Sequence, residues 1–174
     1  MRNNLAGQMA AIMTAHPLPS FAMSPAPADV AVFSKDRRPV LVVEVKGSGM
    51  YPTAQSAAGL RQSLMAHDLL PDVPFFMLAT PIQIFLWRGD APPGAYPNYS
   101  AAAKPVLDSY GSRHANREKP VRGGALEIVM FSWLSDVASG ARGLSPDSEV
   151  DRMLLESGLY EQIQGGAADF EVKL

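Results

Sequence analysis

There is no cysteine among the 174 residues, which excludes a disulfide framework and any thiolate-held metal and fits an intracellular protein. Long hydrophobic runs are missing too. The most apolar stretches, residues 40–43 and 75–79, fall far short of the ~20 residues that a membrane-crossing helix needs. The first 15 residues carry Arg2, but Gln8 and Thr14 interrupt any apolar centre, so no secretory leader is expected and the cytoplasm is the expected compartment. A surplus of either charge is also absent: the formal net charge is −2, which gives no global pull toward nucleic acid.

Several familiar chemical motifs are absent as well. His16, His67 and His114 are scattered without the H-E-x-x-H spacing of a helical zinc site. No G-x-S-x-G elbow occurs. Gly47-Ser48-Gly49-Met50-Tyr51-Pro52 lacks the Gly-Lys-Ser/Thr of a P-loop and puts proline where a dinucleotide fingerprint needs its last glycine. It is therefore read as a turn between strand and helix.

The residues that are present describe a folded domain. Hydrophobic residues make up 47% of the chain and charged ones 18%, unlike a disordered polypeptide. The length suits one domain with a substantial core, and 14 glycines with 15 prolines imply short elements separated by turns. Leu5, Met9, Ile12 and Met13 recur at helical spacing over residues 3–15, and residues 17–27 form a proline-punctuated loop. Residues 29–33 and 40–45 are β-rich, the second run reading as a strand buried on both faces, and the polar turn at 34–39 makes them an antiparallel hairpin.

Thr53 is positioned to cap a helix reaching to about Leu69. Two more strands are expected at 74–80 and 82–88, followed by loop from 90 to 105. Residues 125–139 form a helix whose inner side carries Leu126, Val129, Met130, Trp133, Leu134 and Val137. A second helix begins at Ser145-Pro146 and ends near Gly158. The expected fold is α/β, a central mixed sheet flanked by helices. Residues 1–105 form its core, and 106–174 a helical extension packed on the same domain.

One constellation carries chemistry. Side chains alternate along a strand, so Glu44 and Lys46 share a face while Val43 and Val45 take the other. The hairpin brings Asp29 alongside. After the apolar run 40–43, an ionised Glu44 needs a cation or a hydrogen-bonding partner. A divalent metal meets that need, because two carboxylates are what a hard ion such as Mg²⁺ takes from protein. The Lys46 ammonium is placed to hold the attacking water and to neutralise charge growing on phosphate oxygens.

Pro27-Ala28-Asp29 followed by Glu44-Val45-Lys46 resembles the P-D…(D/E)-x-K signature of the restriction-endonuclease-like nucleases. It most resembles the nuclease domain at the amino end of type I restriction enzyme motor subunits, where a strand reading like VEVK leads into a helix bearing a glutamine. The resemblance spans residues 29–88. It implies metal ligation by Asp29, Glu44 and the carbonyl of Val45, a water-orienting Lys46, a contributing Gln55, Mg²⁺ or Mn²⁺ as cofactor and DNA as substrate.

Three departures stand beside it. The proline lies two residues before the aspartate, the helix after Lys46 offers Gln55 and Gln62 with no tyrosine following, and residues 1–15 contain no acid. The missing acid and the weak net charge favour the alternative reading, a catalytically inactive module of the same fold that binds nucleic acid or protein. An E-x-K also occurs by chance at Glu171-Val172-Lys173. The segment 113–122, with Arg113, Arg117, Lys119 and Arg122, reads as a solvated basic loop. Trp133, Leu154 and Leu155 are the expected apolar surface of a homodimer.

Overall fold

A computed structural model describes residues 28–47, 53–111 and 123–174. The helix expected at 3–15, the loop at 17–27 and the basic segment at 113–122 lie outside the described residues. The β-rich runs become β1 (Ala28–Phe33) and β2 (Pro39–Val45), paired antiparallel with Val30 opposite Val43 and Val32 opposite Leu41. Helix α1 (Ala54–Ala66) follows. Thr53 caps it, its hydroxyl accepting from the N–H of Ser56 at 3.2 Å while the Ser56 hydroxyl receives the Thr53 N–H. His67 closes it, donating from Nδ1 to the Ser63 carbonyl at 2.7 Å, which satisfies one of the orphan acceptors at a helix end.

After α1 come β3 (Phe75–Ala79) and β4 (Gln83–Arg88). Next are β5 (Tyr99–Ala102), a single helical turn α2 (Lys104–Val106) and a π-helical turn over Leu107–Gly111. The chain then forms α3 (Gly123–Ser139), α4 (Glu149–Glu156), α5 (Leu159–Ile163) and β6 (Ala167–Val172). One mixed sheet of six strands runs β5-β4-β3-β2-β1-β6. Only β2 and β3 are parallel, joined through α1; every other pair is antiparallel.

Alternation along the strands sorts the core into two layers. Leu41 and Val43 of β2, Phe75 and Met77 of β3 and Ile84 and Leu86 of β4 pack with Leu126, Met130, Trp133 and Leu134 of α3. Val42, Phe76, Leu78, Phe85 and Trp87 face the other way, against Ala57, Leu60 and Leu64 of α1. The mixed sheet flanked by helices is the expected fold class, and β2 is buried on both faces as its β-branched run requires.

Three local expectations fail for physical reasons. The loop expected over 90–105 contains β5, in whose Tyr-Ser-Ala-Ala sequence only the tyrosine favours a strand; pairing with β4 and close packing of Ala101 in the core hold it in the sheet. The tail holds a strand besides its helices: β6 pairs with β1, Ala168 opposite Val32, so the supposedly accidental Glu-Val-Lys lies at the end of a real sheet member. The cap of α4 is Ser148, whose hydroxyl accepts from Asp151 N–H at 3.5 Å, whereas Ser145 starts the preceding turn and accepts from the Ser148 N–H.

The dimer surface also fails. Trp133 and Leu154 are fully buried and, of the three residues, only Leu155 reaches solvent, because the first two lie on the core-facing stripes of their helices. No described helix is long and apolar enough to cross a membrane.

Gly166 fixes the entry of β6. A Cβ there would collide with the backbone carbonyl oxygen of Phe33 at the end of β1, and backbone cannot swing aside as a flexible side chain would. Gly166→Ala is therefore expected to cost about 1–3 kcal/mol in urea unfolding. Gly59→Ala on the exposed face of α1, where a Cβ meets nothing within 4 Å, should instead gain up to ~1 kcal/mol. Equal effects of the two would disprove the close approach.

Candidate active site

The register of the hairpin ends where the site begins. Val30 opposite Val43 is the last β1–β2 pair on this side, and beyond it a side chain takes over the ladder: the Val45 N–H donates to Asp29 Oδ2 at 2.7 Å. Asp29 thereby splices β1 to β2 with a charge-assisted bond. On the other side of β2, the Lys46 N–H donates to the Ala79 carbonyl at 2.9 Å. Across a trans peptide the Val45 carbonyl points opposite to that N–H. It is therefore aimed toward β1, the side on which Asp29 lies.

Glu44 shares the face of Val42, between the apolar flanks of Phe76 and Leu78 on β3. Its side chain is 20% exposed and forms an ion pair through Oε1 with Nζ of Lys46, itself 28% exposed. This is the partner that an ionised carboxylate in such surroundings requires. Each acid commits one oxygen to the protein. Among the described residues nothing donates a hydrogen bond to Oδ1 of Asp29 or Oε2 of Glu44.

Asp29 and Glu44 open into a common cavity of about 240 Å³, walled mainly by apolar side chains including Val42, Leu64, Leu70 and Phe76. The structure thus brings Asp29, Glu44, Val45 and Lys46 to one end of the sheet. Gln55 is not with them: it is exposed on the first turn of α1 and does not line this cavity. Gln62 is exposed further along α1, its side-chain oxygen beside Gly94.

An acid not singled out in the sequence lies within electrostatic reach of these groups. Glu127 of α3 has its carboxyl held above the ordinary range by burial first, then by the charges of Asp29, Glu171 and Glu44, with Lys46 pulling the other way. Helix α3 therefore starts beside the hairpin end. No periodicity in the sequence says which helix will do so, Glu127 carries no local signal, and the E-x-K at Glu171 is read as chance.

The donor set is sparse for a metal. Among the described residues no three His, Cys, Asp or Glu side chains gather as a metal-holding group. Two carboxylates and one carbonyl remain, which suits Mg²⁺, an ion that keeps several waters and takes one or two carboxylates from the protein. A structural zinc, which needs four protein ligands, does not fit.

Fold and site together define a mixed-sheet α/β domain with an acid–acid–lysine cluster at one sheet end. Set against models of known families, curated proteins and solved structures, the chain matches none of them.

Proposed function

We propose that this chain is a metal-dependent nuclease of the PD-(D/E)xK kind that hydrolyses phosphodiester bonds, with DNA as its substrate. The observation that supports this reading is that Asp29 and Glu44 open into one cavity, that Lys46 is ion-paired to Glu44, and that among the described residues nothing donates to the second oxygen of either acid. Asp29, Glu44 and the Val45 carbonyl would hold Mg²⁺ or Mn²⁺. The ion, when bound, supplies a more acidic water and Lewis-acid stabilisation of the phosphoryl oxygens.

The protein's own part is positional and electrostatic. Asp29 fixes the strand end through the Val45 N–H, so the acids and the carbonyl are set by backbone and need not be gathered by the ligand. Glu44 holds the Lys46 ammonium beside it, where it would stabilise charge developing on the phosphate and orient the attacking water.

The second reading, a non-cleaving module that binds nucleic acid or protein, has one observation in its favour: the Val45 N–H and the Lys46 ammonium already give both acids structural work. A cleavage assay on single- and double-stranded DNA and RNA separates the two. Cleavage is expected in Mg²⁺ or Mn²⁺ and none in EDTA, and full activity in EDTA would rule the mechanism out. Calorimetric titration with Mn²⁺ should show binding to the wild type that Glu44→Gln weakens at least tenfold; no binding to either would favour the module.

A further inference from the structure

The cavity that holds the acids is a poor surface for a phosphate backbone. Among the described residues its lining contains no lysine or arginine, and Val42, Leu64, Leu70, Pro71 and Phe76 make most of its wall. Backbone binding depends on cations that displace counterions, so this wall must recognise something else. Its volume of about 240 Å³ lies below the ~300 Å³ at which sites for drug-sized molecules begin. That suits one flat ring system.

The nearest such group on a phosphodiester held at Asp29 and Glu44 is a base flanking the scissile phosphate. We propose that the cavity receives one unpaired nucleobase of the substrate, and that the protein acts on single-stranded or frayed nucleic acid in preference to intact duplex. The inference rests on the nuclease reading and adds to it the substrate class. A base in a duplex reaches such a hollow only by unpairing and unstacking, whereas a single strand has little of that cost to meet. Binding gained by burying a ring in an apolar wall is also insensitive to salt, unlike binding gained from phosphate contacts.

The test uses the full chain with Mn²⁺, a single-stranded oligonucleotide and the same sequence in duplex. The single strand should be cut at least tenfold faster, and a millimolar uncharged nucleoside should raise its KM while leaving kcat unchanged. Leu70→Trp, which fills the cavity from a half-buried position, should cut the single-strand rate tenfold or more. Leu64→Phe provides the same filling from α1 should the first variant unfold. Equal cleavage of both forms with no nucleoside competition would overturn the base pocket and leave the nuclease reading standing. No metal-dependent cleavage of any substrate would overturn both.

Discussion

Lys46→Ala is expected to lower metal-dependent cleavage by about 10²–10⁴-fold, the range seen when a positioned proton-transfer or charge-stabilising group is removed. Backbone consequences should be small, because the bond that places this residue in the sheet runs from its N–H to the Ala79 carbonyl and survives the substitution. The change does strip Glu44 of its ion pair. A half-buried carboxylate left alone destabilises the strand end, so the rate must be compared at a temperature where circular dichroism shows the variant fully folded. Lys46→Arg keeps the pair but moves the charge, and should restore stability while leaving turnover impaired. Turnover within threefold of wild type in folded Lys46→Ala would remove the lysine from the mechanism.

Asp151→Ala is expected to be the most destabilising of the substitutions considered, costing about 3–5 kcal/mol. Its side chain is 1% exposed and accepts both guanidinium nitrogens of Arg142, at 2.7 and 3.0 Å, as well as the Ser145 N–H at 3.0 Å. Truncation leaves a cation 26% exposed facing a void, with no other acid paired to it among the described residues. Against a usual total stability of about 5–15 kcal/mol, that is enough to unfold part of the population on mild warming. The pair Lys104–Asp108, with side chains 79% and 62% exposed, is the contrast: Asp108→Ala should cost no more than ~0.5 kcal/mol. A loss below 1 kcal/mol for Asp151→Ala in urea titration would show that Arg142 finds compensation elsewhere.

The parts of this fold that could be read from the sequence are those whose burial leaves a periodic trace. The run Val40 to Val43 announces a central strand because both of its faces are covered. Leu126, Met130, Trp133 and Leu134 announce α3 because they face one layer of core. β5 and β6 leave no such trace. They lie at the two edges of the sheet, and they belong to it through pairing and small side chains. Edge strands also carry charges on purpose: Asp169 of β6 bonds to Arg37 at 3.0 Å.

The same distinction runs through the site. Asp29, Glu44 and Lys46 were legible because a two-residue period and a short turn bring them together, both of which are local facts. Glu127 feels their charges from almost a hundred positions away along the chain, through helix packing that spacing cannot encode. The apolar wall is assembled from β2, α1, the turn at Leu70 and the end of β6, and no single stretch of sequence advertises a hollow. Gln55 shows the converse: a residue type at a suggestive position, which the helix turns outward.

The placement of β6 has a consequence for how the protein comes into being. β1 is the first described strand along the chain, yet it sits inside the sheet, between β2 and a partner more than 130 positions later. During synthesis the hairpin leaves the ribosome with one flank bare, an open template for a wrong neighbour until β6 arrives. Closing so distant a contact is slow. Val172, carried in by β6, is also part of the hollow beside the two acids, so a nascent chain assembles this wall only once a strand more than 130 positions after β1 has docked.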